Sequence, residues 1–151
     1  MDIQHADTIA GCKVRLELLT HLQPIEGYDS AHILDLADII ERHGIWTEPL
    51  AISMRMFTAQ LRFLIMDGHH RFQVAQMLGL VFVPVISFDY RQIEIRSLRP
   101  QYDQLLHGHN DPGQNLAETI TSNGIALFPA KTVHHVLPSL PQCSYSLRSL
   151  R

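Results

Sequence analysis

Residues 63 to 88, "FLIMDGHHRFQVAQMLGLVFVPVISF", pass from an apolar run through an acid, a glycine and two histidines into a helical pattern, and then into a second apolar run. Phe72, Ala75 and Leu78 recur at helical spacing and Gly79 supplies the stop, so the stretch reads as strand, turn, helix, strand. Any fold of this chain has to place Gly68 between a strand end and a helix start. Upstream, "KVRLELLT" alternates Val14, Leu16 and Leu18 with Arg15 and Glu17, the pattern of a strand with one buried face. "HLQPIEGYDS" holds Pro24, Gly27 and a candidate N-cap at Asp29 or Ser30, which makes it a loop entering a helix. In "AHILDLADIIERHG" the residues Ile33, Leu36, Ala37 and Ile40 share one helical face, and Gly44 stands where the helix should stop. "EPLAISM" and "LRFLIM" read as a hairpin or as two neighbouring strands. Residues 91 to 113 have a mixed pattern, and "QNLAETITSNG" predicts a helix with Asn123 and Gly124 near its end. The tail from Ile125 contains three prolines and no clear period, so an extended segment packed on the body is expected.

With 151 residues, 46% hydrophobic and 18% charged, the chain suits one domain around one core. A formal net charge of -3 and a pI near 6.3 leave no basic footprint for nucleic acid. Cys12 and Cys143 form no CxxC pair, which fits a reduced intracellular protein. The first residues lack a signal-peptide pattern, and no run of 18 apolar residues occurs. A cytoplasmic protein without membrane contact is expected. Ten histidines invite a metal reading. His107, His109 and Asp111 in "HGHND" have ligand types suited to Zn²⁺, but their spacing matches no standard site, and a solvated polar loop is the alternative. Met54, Met56, Met66 and Met77 fall in or beside the expected strands and helix and read as packing residues.

A glycine between a strand end and a helix start lets backbone approach a ligand closely, and the first N–H groups of the helix point outward without partners. Such a turn is an anion site. The helix dipole favours phosphate, and Arg71 in the first turn can add a charge-assisted contact. Asp67 repels phosphate unless it holds a Mg²⁺ ion that bridges phosphate oxygens; otherwise it serves as a helix cap. On the bland alternative, Asp67 only caps the helix, and His69 and His70 are solvated surface groups.

The "MDGHHR" motif follows a strand, with "GIWTEP" before it and "VPVI" and "DY" after it, and it resembles the ParB/sulfiredoxin superfamily, specifically its free serine kinase branch. "LQPIE" resembles that branch's "KPHE", and "LFPAKTVHHVLP" its "PKTTRHVLP", so the likeness runs with gaps from about Leu16 to Pro138. It implies a single small α/β domain over residues 1 to 151, a mixed sheet with helices packed around it, and a tail from about residue 125 that completes the site.

The resemblance also implies a small-molecule kinase that moves a phosphoryl group from ADP or ATP, with Mg²⁺, to the hydroxyl of a free amino acid, L-serine first. The family's catalytic glutamate falls on Glu26, which the sequence puts on a loop just before a helix, and Asp67 and His70 complete the implied catalytic group. Gly68, His69, His70, Arg71, Lys131, Thr132 and His135 fall on the nucleotide side, with Asp67 as the metal contact. Trp46, His134 and His135 fall on the acceptor side, although core packing is the other reading of Trp46. Three features depart from the family. Val133 and His134 replace a threonine and an arginine, Leu98 stands where the family has a tryptophan, and a long middle region is missing. A sulfiredoxin reaction is disfavoured because a histidine occupies the place of its cysteine, and the chain has no room for the helix-turn-helix domain of partition proteins. The competing expectation is a nucleotide-binding regulatory or interaction module without catalysis.

Overall fold

The computed structural model describes residues 8–9, 12–57, 61–103, 111–122 and 128–151. Five strands make the main sheet: β3 (Arg15–Leu18), β4 (Leu22–Gln23), β6 (Leu50–Met56), β7 (Phe63–Asp67) and β8 (Phe82–Phe88), in the order β3-β8-β6-β7-β4. The sheet is mixed. β3 with β8 and β6 with β7 are antiparallel, whereas β6 with β8 and β4 with β7 are parallel. Three two-stranded pairs surround it, all antiparallel: β1 (Thr8–Ile9) with β2 (Cys12–Lys13), β5 (Ile45–Trp46) with β11 (Tyr145–Ser146), and β9 (Glu94–Ser97) with β10 (Val133–Val136). Four helices complete the described residues: α1 (Ser30–His43), α2 (His69–Met77), α3 (Pro112–Ser122) and α4 (Leu147–Leu150). The mixed α/β architecture is the one expected, on a single small domain.

Residues 50–53 of β6, 64–66 of β7 and 83–88 of β8 are buried on both faces of the sheet, and all but Ser53 and Ser87 are apolar. Leu50, Ile52, Ile65, Val83 and Val85 point to one core, where they meet Ile33, Trp46, Phe72 and Leu150. Their neighbours Ala51, Leu64, Met66, Ile86 and Phe88 point to the other, where they meet Ile25, Tyr90, Leu116 and Phe128. Period-2 alternation thus splits each apolar run between two cores. α1 buries Ile33 and Ala37, with Leu36 and Ile40 partly buried, along the expected face. Asp29 caps it by accepting from the Ala31 N–H at 3.0 Å, and Gly44 ends it in the left-handed conformation, φ 67°.

Several expectations need correction. Leu16 is exposed while Arg15, Glu17 and Leu18 are all half-buried, so the edge strand β3 does not keep the expected alternation, and Glu17 bonds His21. Residues 94–97 form a strand that their charges conceal, since only Ile95 is buried. The tail is more regular than an extended segment: it supplies β10, β11 and α4, and it drives Leu147 and Leu150 into the first core. Of the methionines, Met66 packs as expected, but Met54 and Met77 are exposed on outward faces. Asn123, Gly124, His107 and His109 lie outside the described residues, while Asp111 accepts from the Gly113 N–H and pairs with Arg55. Among the described residues no group of three or more histidines, cysteines or acids is placed to hold a metal ion, and no helix is long and apolar enough to cross a membrane.

Leu150 is fully buried, and its carbonyl accepts from the Val81 N–H at 2.8 Å. Leu150→Ala is expected to cost about 3 kcal/mol, read as a lower urea midpoint. An unchanged midpoint would mean that the terminal turn is not docked in solution.

Candidate active site

The turn after β7 brings the motif to one wall of a cavity of about 910 Å³, within the range of small-molecule sites. Gly68 occupies the cap position of α2 at φ 105°, and no side chain caps the helix. A β-carbon there would stand 2.8 Å from Leu50 Cγ, so the tight approach of turn and sheet requires glycine. The leading N–H groups of a nine-residue helix are therefore presented at the cavity wall, as an anion requires.

Asp67 does not cap this helix. Its carboxylate is largely exposed at the wall and lies 3.3 Å from Arg71 Nη2. Arg71 in turn donates through Nη1 to the Pro49 carbonyl at 2.8 Å and stands 3.4 Å from Glu48. The guanidinium is thus braced between two acids and a carbonyl at the cavity edge.

His69 is not a solvated surface group. It is buried, and its Nε2 accepts from the backbone N–H of Ile25 at 3.1 Å and of Glu26 at 3.3 Å. Burial, with some repulsion from His70, lowers its pKa to about 4, so the ring is neutral with its proton on Nδ1. His69 therefore fastens the loop before α1 to the start of α2. His70 makes a parallel link by accepting from the Asp29 N–H at 3.1 Å, and its ring meets His32 edge-on at 4.7 Å. Burial, His32 and Lys131 lower the His70 pKa against the opposing pull of Asp29.

Glu26 is held across the cavity wall by the tail. Its Oε2 accepts from the backbone N–H groups of Thr132 at 2.6 Å and Val133 at 2.9 Å. Gly27 and Phe128 reinforce the join through backbone bonds in both directions between residues 25 to 27 and Phe128. The other oxygen, Oε1, stands 3.9 Å from His69 Nδ1, too far for a hydrogen bond. One oxygen is anchored while the second stays available. Burial raises the Glu26 pKa, opposed by the two backbone bonds and by the charge of Arg99.

The other expected site residues divide. Lys131, His134 and His135 line the cavity, and Lys131 adopts a left-handed φ of 60° that turns the following amides toward Glu26. Thr132 is fully buried and its hydroxyl donates to the Pro129 carbonyl at 2.6 Å, so it meets Glu26 only through its N–H. Trp46 does not reach the cavity. Its ring is in the first core and its Nε1 donates to the Glu48 carbonyl at 2.6 Å. Two contributors were given no role from the sequence. Arg99 donates to the Ala130 carbonyl at 3.1 Å and so steadies the turn that feeds Glu26, and Tyr90 bonds His135. No local pattern marks Arg99, whereas the "DY" segment did carry Tyr90.

The arrangement defines a small α/β domain with an uncapped helix start beside a buried carboxylate on one cavity wall. The model of the ParB N-terminal domain matches residues 3–97, and the chain belongs to that family. No curated protein matches the sequence. Among solved structures, the chain is similar to SbnI with a C-terminal truncation from Staphylococcus aureus, at TM-score 0.68 and 13% identity, covering 100% of this chain and 92% of that one. It is also similar to a free serine kinase in complex with AMP, at TM-score 0.63 and 13% identity, covering 91% and 93%. A conserved hypothetical protein from Pyrococcus furiosus aligns at TM-score 0.62 and 15% identity, covering 91% and 97%. At these identities the likeness establishes the fold.

Gly68→Ala is expected to cost about 2 kcal/mol through its left-handed backbone and its contact with Leu50, measured by urea unfolding. A neutral result would mean that the turn is looser than this geometry.

Proposed function

We propose that this protein is a small-molecule kinase, transferring a phosphoryl group from ADP or ATP to the side-chain hydroxyl of a free amino acid, with L-serine the first candidate. The observation that carries the reading is Glu26: a buried carboxylate on the cavity wall, anchored through one oxygen, with the other left to accept a proton. The similar free serine kinase has been solved with AMP and, as a glutamate-to-alanine variant, with ADP. That a nucleotide occupies the same fold there supports a nucleotide here.

Phosphoryl transfer asks the protein mainly for positioning, charge neutralisation and a group to take the hydroxyl proton. The donor phosphates rest on the uncapped start of α2, with Lys131 facing them from the tail. The acceptor oxygen attacks the terminal phosphorus, the bond from that phosphorus to the bridging oxygen breaks, and the hydroxyl proton passes to Glu26 Oε1. ADP leaves AMP, or ATP leaves ADP. Mg²⁺ fits this wall through Asp67, an exposed acid beside the helix start, because that ion takes one or two carboxylates and completes its shell with phosphate oxygens and water. When bound it neutralises phosphate charge. His69 and His70 act by position, since each uses Nε2 to hold backbone of the loop that carries Glu26. His134 is assigned to the acceptor, and His135, which also lines the cavity, to both the nucleotide and the acceptor.

The bracing of Arg71 by Glu48, Asp67 and Pro49 favours a second reading, a nucleotide-binding regulatory or interaction module. Phosphorus NMR with Mg²⁺ and ADP or ATP, run over a panel of hydroxy amino acids, separates the two: a new phosphomonoester signal supports the kinase, and nucleotide binding without consumption supports the module. Glu26→Gln is expected to reduce turnover at least about a hundredfold while nucleotide affinity changes little. Turnover that survives within a few fold removes Glu26 as the base.

The pH dependence follows from the same carboxylate. A base works deprotonated, and burial raises the Glu26 pKa, so turnover falls with decreasing pH earlier than for an ordinary glutamate. Arg99 opposes that rise, and Arg99→Met is expected to move the acid limb of the pH–rate profile to higher pH. An unmoved limb would show that Glu26 does not sense Arg99.

A further inference from the structure

His135 sits on β10 with its side chain buried in the cavity wall, and its two ring nitrogens have opposite fates. Nε2 lies 2.9 Å from the hydroxyl of Tyr90. Nδ1 is buried and has no partner among the described residues. Tyr90 cannot easily adapt to either arrangement, because it is buried between Phe57, whose ring meets it edge-on at 5.8 Å, and Gly113, where a β-carbon would fall 2.5 Å from the tyrosine ring.

The direction of this bond follows from chemistry. A buried phenol needs an acceptor for its O–H, and His135 Nε2 is its one polar partner among the described residues. Burial also raises the Tyr90 pKa, keeping that proton in place, and lowers the His135 pKa to about 3, keeping the imidazole neutral. The hydroxyl therefore donates to Nε2, and the single ring proton resides on Nδ1. A buried N–H without an acceptor is costly, and it has no lone pair to give a metal ion. What satisfies it is an oxygen acceptor.

We propose that Tyr90 is a positioning residue, which holds His135 in its Nδ1–H tautomer so that this nitrogen donates to an oxygen of the bound phosphoryl group. The inference rests on the phosphoryl-transfer reading of the cavity. It adds Tyr90 to the site and gives His135 a defined role as a neutral donor, on the tail side facing the start of α2.

The first test needs no variant and no turnover. In ¹⁵N-histidine-labelled protein, His135 should show a protonated Nδ1 and an unprotonated Nε2, and adding ADP with Mg²⁺, or inorganic phosphate, should shift its Nδ1 signal. A protonated Nε2 in the free protein overturns the proposal, and so does a signal that ignores both ADP and phosphate or that responds only to free serine. Variants supply the second test, because the amide nitrogen of asparagine overlays Nδ1 of histidine and that of glutamine overlays Nε2. His135→Asn should bind ADP at least about fivefold more tightly than His135→Gln. Tyr90→Phe should weaken ADP about fivefold in the parent and by less than about twofold in the His135→Asn background, which has no tautomer to set. Equal losses in the two backgrounds would reduce Tyr90 to a packing residue. If ADP binds but is never consumed, the kinase reading fails while these readings still decide the proposal.

Discussion

The join between Glu26 and the backbone of Thr132 and Val133 is the contact on which the cavity depends. A single carboxylate oxygen connects residues more than a hundred positions apart in sequence, and charge-assisted bonds of this kind are worth about 1.5–3 kcal/mol each when they replace water. The tail reaches the carboxylate only because Lys131 turns through a left-handed conformation, steadied from behind by Arg99 on the Ala130 carbonyl. From the opposite side, His69 and His70 hold the loop that carries Glu26 by accepting its backbone N–H groups. Three separate parts of the chain therefore converge on one side chain, and the same bonds that stabilise the fold leave one oxygen of that side chain uncommitted.

How legible the structure was in the sequence depended on where the signal came from. The face of α1, its Asp29 cap and Gly44 stop, and the strand, turn and helix around Gly68 were all readable, because local spacing and backbone chemistry determine them. β9 and β10 were not, since "EIRS" sets two charges around one buried isoleucine, "VHHV" centres on two histidines, and both strands gain their order from pairing. Trp46 shows the limit of assigning site residues by neighbourhood in sequence: it stands two residues from Glu48 on the cavity wall, yet β5 pairs with β11 and turns the ring into the core.

The histidines carry a related lesson about chemistry. From composition, a pair such as His69 and His70 suggests solvated groups or metal ligands. In the fold, their Nε2 atoms accept from backbone amides, which burial and the resulting neutral state allow. No one-dimensional pattern reveals this, because the amides of Ile25, Glu26 and Asp29 come from a loop some forty residues earlier. The replaced "TVHH" segment looked like a loss at the acceptor side. Structurally, the positions that matter to Glu26 there are backbone N–H groups, which any residue other than proline supplies.

The stretch from Leu137 to Gln142 forms part of the cavity wall and is tied down at both ends, by β10 against β9 and by the bonds of Cys143 to Thr47 and Leu147 to Gly44. During synthesis, the sheet and the glycine turn can form long before this strap exists. The wall closes only when the side chain of Leu150 has found the core. Until then the domain exposes an unfinished cleft and a bare apolar pocket for Leu147 and Leu150, which makes the docking of this strap a step open to chaperones and proteases.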